Sequence, residues 1–125
     1  MQVPAIYRVV LADDMGDFLA WLKALLEDSQ RFVVVGEAST GGDALHLVEV
    51  LQPDAVLADV DMPGVDGIDV VRTVQERWPE ILVVLFSSHA ERSYARLARE
   101  AGAVAFIPKA RLSVEALRQA LAGGP

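Results

Sequence analysis

Apolar residues in this chain fall into two alternating kinds of run. Five are short and rich in β-branched residues: YRVVLA (7–12), FVVVGEA (32–38), AVLA (55–58), ILVVLF (81–86) and AVAFI (103–107). Each has the length of a strand. Most are apolar without clean alternation, which is how a strand reads when both faces of its sheet are covered. Between these runs the spacing becomes helical. Phe18, Trp21, Leu22, Leu25 and Leu26 repeat at i, i+3, i+4, i+7 and i+8. Thr40 and Asp43 resemble a capping box, and Ala44, Leu45, Val48 and Leu51 then share a face until Pro53 ends the helix. Val70, Val71, Val74 and Trp78, closed by Pro79, predict a third helix. Tyr94, Leu97, Ala98 and Ala101, closed by Gly102, predict a fourth. Val114, Leu117 and Leu121 predict a fifth, with Ser113 as its N-cap. Five strands alternating with five helices specify an α/β fold, a doubly wound (βα)5 five-stranded parallel sheet with helices on both faces.

Composition narrows the class. A chain of 125 residues suits one domain, 1–125, with Ala122 to Pro125 as a tail or the start of a linker. Hydrophobic residues at 53% and charged residues at 23% exclude a disordered or fibrous protein. The absence of cysteine excludes disulfides and thiolate metal sites. The start, MQVPAIYRVVLADD, has neither a basic leader nor a long apolar run, so no signal peptide or membrane span is expected and the protein is read as cytoplasmic. A net charge of −7 argues against direct nucleic-acid binding, because phosphate neutralisation supplies most non-specific affinity. That charge is unevenly spread. Residues 1–89 carry five basic and fifteen acidic side chains, a net of −10, whereas residues 90–125 carry six basic and three acidic, a net of +3. The last third is thereby marked for a different partner.

Ligands of open α/β sheets bind beyond the carboxyl ends of the strands, where the winding reverses. Strand one ends in Asp13-Asp14, strand three in Asp59, strand four in Ser87-Ser88 and strand five in Pro108-Lys109. Carboxylates gathered there repel one another, by about 4 kcal/mol for a pair about 4 Å apart at an effective dielectric near 20. A hard divalent cation with oxygen ligands, Mg²⁺ or Mn²⁺, would relieve that repulsion and belongs beside a phosphoryl group. Lys109 offers a compact positive charge and Ser87 a hydroxyl, groups suited to holding phosphoryl oxygens. By spacing from Lys109, Ser87 is preferred over Ser88 as that donor.

Four segments then carry a specific resemblance: VVLADD (9–14), PDAVLADVDMPGVDG (53–67), VVLFSS (83–88) and GAVAFIPK (102–109). Along essentially its whole length the chain resembles the response-regulator receiver domains of two-component signalling systems. The resemblance implies a flavodoxin-like strand order of 2-1-3-4-5. It implies that Asp59 accepts a phosphoryl group from a sensor histidine kinase or phosphotransfer protein, assisted by Ser87 and Lys109. The metal would be held by Asp14, Asp59 and the backbone carbonyl of Asp61, with Asp13 acting largely through water. Ser87 and Phe106 would then move inward, reshaping the surface of helix four, strand five and helix five toward an output domain or protein. Weak homodimerisation through that face is also implied. Such a chain is not an enzyme beyond catalysing its own phosphorylation and slow autodephosphorylation. Two positions depart from the common pattern: Ala110 follows the lysine where a proline is frequent, and Phe106 stands where many relatives have Tyr.

Each site residue also has a plainer reading. Asp59 alone would be a solvated loop acid, Asp13-Asp14 a helix cap, Ser87 a cap of helix four, and Lys109 a surface lysine. Trp21 and Trp78 read as core or boundary packing, and Gly64 and Gly67 as turn residues. His46 reads as an ordinary helical residue and His89 as a neighbour of the site. Asp61 could repel or position a water attacking the phosphoryl group. Two other functions compete. LADVDMP resembles the Asp-x-Asp signature of haloacid-dehalogenase-like phosphohydrolases, with Asp59 as nucleophile and Asp61 as acid/base; a pseudo-receiver would bind partners without being phosphorylated.

Overall fold

The computed structural model describes residues 4–88 and 92–123. His89 lies outside the described residues. In chain order the elements are β1 (Tyr7–Ala12), α1 (Gly16–Asp28), β2 (Phe32–Ala38), α2 (Gly41–Leu51), β3 (Ala55–Asp59), α3 (Gly67–Arg77), β4 (Leu82–Ser87), α4 (Arg92–Ala101), β5 (Ala105–Pro108), a 3₁₀ turn over Lys109–Arg111 and α5 (Val114–Ala122). All neighbouring strands pair in parallel, in the order β2-β1-β3-β4-β5. This is the doubly wound five-stranded architecture that the alternating patterns specify. No described helix is long and apolar enough to cross a membrane.

Period two within the strands divides the core into two layers. Val56, Ala58, Val83 and Leu85 face α2, α3 and α4, meeting Ala44, Val48, Val70, Val71, Val74 and Ala98. Ala55, Leu57, Val84 and Phe86 face the other way, meeting Leu19, Leu22, Leu26, Leu117 and Leu121 of α1 and α5. Buried on both faces, the central strands show no polar alternation, and β3 is buried at every position.

Helix ends follow local chemistry. The Ser113 side chain accepts a hydrogen bond from the Ala116 amide at 3.0 Å. Thr40 accepts from the Asp43 amide at 3.1 Å. The reciprocal capping box belongs to α3: Asp66 accepts from the Asp69 amide at 2.9 Å, and the Asp69 carboxylate accepts from the Asp66 amide at 3.4 Å. α2 ends at Leu51, with Gln52 in the left-handed region at φ 47°. The Arg8 guanidinium donates to the carbonyls of Leu51 and Gln52, covering that helix end.

Three strands differ from the sequence expectation, β3 by running one residue further, to Asp59. β4 starts at Leu82 because the Ile81 amide bonds back to the Trp78 carbonyl at 3.0 Å, closing the turn after α3. β5 starts at Ala105 because the Ala103 amide closes the end of α4 on Ala98, also at 3.0 Å. β5 then runs on to Pro108, which pairs with Ser87 at the sheet edge, where a residue without an N–H is tolerated.

Candidate functional site

Adjacent strands β1 and β3 lie where the winding reverses, so the residues at their ends face one crevice. β1 delivers Asp13 and Asp14, and β3 ends on Asp59. Asp13 and Asp59 are buried and Asp14 is exposed. One carboxylate oxygen from each lies within 4.8 Å of the others.

The orientation of the two buried acids has a local cause. Asp13 Oδ1 accepts from the Met15 amide at 2.9 Å, and Asp59 Oδ1 accepts from the Asp61 amide at 2.8 Å. Each carboxylate thus ties one oxygen to the backbone two residues on, the geometry of an Asx turn. The second oxygens face Lys109, whose ammonium lies 2.6 Å from Asp13 Oδ2 and 2.8 Å from Asp59 Oδ2. Asp13 Oδ2 is shielded from solvent and takes no hydrogen bond of proper geometry, so its contact with Lys109 is that of an ion pair.

Burial pushes the Asp13 carboxyl above its ordinary range; the nearby Asp59 charge adds to that shift, while Lys109 and the Met15 amide oppose it. For Lys109 burial acts downward, but the attraction of the paired Asp13 and Asp59 carboxylates outweighs it and the ammonium titrates above its ordinary value. Three carboxylates that each offer an oxygen within 4.8 Å of the others, against one nearby ammonium, fit a hard divalent cation.

Close backbone packing brings the crevice together. A Cβ on Gly67 would stand 2.4 Å from the Asp59 carbonyl oxygen, so only glycine lets α3 begin beside the end of β3. Gly64, at φ +73°, makes the turn between them. Ser87 is fully buried at the end of β4, whereas Ser88 is exposed. Ser87 pairs with Pro108, immediately before Lys109, which puts both expected phosphate-facing groups on the β4–β5 side of the crevice.

The Asp61 carboxylate lies outside the acid group, and the residue contributes its amide to Asp59. This gives no support to the Asp59/Asp61 hydrolase pair. His46 is exposed on α2. Trp21 is exposed on α1, and Trp78 packs against the α2–α3–α4 side of the core with the Arg77 guanidinium over its ring. Phe106 is partly buried against the same layer. The sequence reading missed Phe18 and Met15 as neighbours of Lys109. Its ammonium sits 4.2 Å from the centre of the Phe18 ring and 3.8 Å from Met15 Sδ. In the sequence Phe18 is legible only as one apolar member of a helical face.

Comparison with known proteins agrees with this geometry. Residues 9–122 match the response regulator receiver domain family. The transcriptional activator protein ExaE of Pseudomonas putida is 35% identical over 118 residues, covering 92% of this chain and 55% of that protein. A protein-glutamate methylesterase/protein-glutamine glutaminase of Pseudoalteromonas atlantica is 35% identical over 114 residues, covering 90% of this chain and 30% of that protein. The signal receiver domain of a Mycobacterium tuberculosis NarL response regulator superposes with a TM-score of 0.90 at 34% identity, covering 96% of this chain and 99% of that one. The chain therefore spans about half of one curated relative and under a third of the other.

Proposed function

Because this chain belongs to the response regulator receiver family, we propose that it is a phosphorylation switch whose acceptor is Asp59. The observation that carries the reading is the convergence of Asp13, Asp14 and Asp59, with Lys109 bridging the two buried acids.

In the proposed step the Asp59 oxygen that faces Lys109 attacks the phosphorus of a phosphohistidine on a kinase or phosphotransfer protein. A P–O bond forms, the P–N bond breaks, and the imidazole leaves with the electron pair. Asp14, Asp59 and the Asp61 carbonyl would hold Mg²⁺, or Mn²⁺, with Asp13 reaching it through water; the ion, when bound, neutralises charge on the phosphoryl oxygens. Lys109 stands beside the Asp59 oxygen and would donate to the arriving group. Ser87, on the neighbouring strand end, would supply the second donor. The Asp59 and Asp13 Asx turns keep the two buried carboxylates aimed. The chain modifies itself and then loses the group slowly, so it does not turn over a free substrate.

The added group brings roughly −1.5 to −2 charges to a crevice already rich in acids. Ser87 would draw inward to it and Phe106 would follow, changing the α4–β5–α5 face presented to an output. The +3 balance of residues 90–125 makes that face electrostatically distinct from the rest of the domain. The output is an attached domain or a separate protein, and the same face would support weak pairing of two copies. One receiver unit spanning 1–125 and acting in the cytoplasm is the arrangement consistent with this role.

Mass spectrometry after treatment with acetyl phosphate and Mg²⁺ tests the reading. One phosphoryl group is expected on the peptide containing Asp59, and none on Asp59→Asn with its fold retained by circular dichroism. Persistent labelling of that variant, or labelling at another residue, would overturn the assignment. Absence of labelling in a folded wild-type domain would favour a pseudo-receiver, whereas continuous release of phosphate from small phosphomonoesters would favour a hydrolase.

A further inference from the structure

Lys109 has a long, flexible stem that ordinarily carries its charge out to water. Here its side chain is only 10% exposed. The two buried acids account for the inward pull on the ammonium, but they do not account for what lies on its other side. Phe18, in the first turn of α1, is 4.2 Å from Nζ by its ring centre, and Phe86 of β4 is 5.7 Å away. The two rings touch at 5.3 Å between centroids, and Phe18 leans on Trp21 at 5.6 Å. Phe86 is fully buried, which fixes the base of this stack in the core. Met15 Sδ closes the rim at 3.8 Å from Nζ.

We propose that Phe18 is a positioning residue for Lys109: its ring face, braced by Phe86, forms a seat that holds the ammonium over Asp59 for phosphoryl transfer. The proposal rests on the phosphoacceptor reading above. Its physical content is a division of labour. Attraction from Asp13 and Asp59 changes whenever those carboxylates take up a cation or a phosphoryl group. The π-face does not change, and it keeps attracting the cation while leaving its N–H donors free to turn toward phosphoryl oxygens. Without the ring the stem regains its rotamers and the ammonium reaches solvent, which removes a donor that must already be in place when charge develops. Ala110 follows the lysine, so no proline ring restrains the chain there and the lateral support comes from α1.

The test compares Phe18→Leu, which keeps an apolar side chain without a π-face, with Phe18→Trp, which restores one. In proton–carbon NMR the Lys109 ε-methylene protons of the wild type are expected upfield, shifted by the ring currents of Phe18. That displacement should be lost in F18L and retained in F18W, whether or not any phosphoryl group is present. Phosphorylation by acetyl phosphate with Mg²⁺ should slow by about fivefold in F18L and return to within twofold of wild type in F18W. Phe18→Met carries the same comparison should F18L lose its fold. Unmoved Lys109 resonances in F18L would overturn the seat, as would a labelling rate in F18L within twofold of wild type. A wild-type domain with the upfield signals but no labelling on Asp59 would refute the phosphoacceptor reading and leave the seat standing as a structural contact.

Discussion

Replacing Asp13 by Asn is expected to stabilise the domain at neutral pH. The Asp13 side chain is fully buried and shares a 4.8 Å cluster with Asp14 and Asp59. Two like charges at that separation repel by about 3.5 kcal/mol at an effective dielectric near 20. The ion pair with Lys109, at 2.6 Å, attracts by about 6 kcal/mol on the same footing. Those terms nearly cancel once Asp14 adds its share, so desolvation, which costs several kcal/mol for a buried ion, decides the sign. The upward shift of the Asp13 pKa, caused first by burial, points the same way. Asn keeps an oxygen for the Met15 amide and carries no charge. Lys109 keeps Asp59 at 2.8 Å, so no buried charge is left unpaired, and a gain of about 1–3 kcal/mol follows, or roughly 3–10 °C in melting temperature.

The pH dependence supplies a sharper check. A carboxyl whose folded pKa lies above the unfolded 3.8 binds more protons in the native state. Wild-type stability therefore falls as pH rises from 3.8 through the folded value, a slope that the variant lacks. Urea melts of both proteins in chelator, at a series of pH values on either side of 3.8, should show the gap opening as pH rises. A variant less stable than wild type at neutral pH, or a gap that is constant across the series, would refute the reasoning.

Other outcomes follow from the same geometry. Because the Lys109 pKa is raised above 10.5, its stabilisation is complete below that value and is lost as pH climbs through the folded pKa; Lys109→Met should flatten the alkaline limb of the stability curve, and an unchanged limb would show that the ion pairs contribute nothing. Lys109→Ala should still accept a phosphoryl group but pass a weaker change to α4, β5 and α5, read as smaller amide shifts in residues 92–121 on phosphorylation. Gly67→Ala forces a Cβ against the Asp59 carbonyl at 2.4 Å and should cost about 2–4 kcal/mol in denaturant melts; a cost below about 0.5 kcal/mol would mean that α3 shifts freely. Mg²⁺ at ten times its dissociation constant should stabilise the native domain by about 1.4 kcal/mol, and chelation should reverse it.

Much of this arrangement is legible in the sequence because it depends on periodicity and strand ends. Runs apolar on both faces mark a covered parallel sheet, and the polar residue after each run then falls on one edge, which places Asp13, Asp14, Asp59 and Lys109 together from the pattern alone. Boundaries are less legible, since hydrogen bonds made outside the ladder set them. Ile81 and Ala103 are apolar enough for strand yet spend their amides closing α3 and α4. Thr40 and Asp43 satisfy only one half of the capping-box pattern, whereas the reciprocal cap is made by Asp66 and Asp69, where the second partner is Asp in place of the usual Glu or Gln. Phe18 was hidden for another reason. A face of a helix predicts burial, but no spacing rule links the first turn of α1 to a lysine that follows the last strand.

That long separation has a consequence of its own. The acids come from the first and third strands, and the lysine that bridges them arrives only after the fifth. A nascent or partly folded chain therefore presents naked carboxylates without their counter-charge. Assembly of the site proposed for phosphoryl transfer is thereby coupled to completion of the whole sheet, and an unfinished copy lacks the group that would balance its acids.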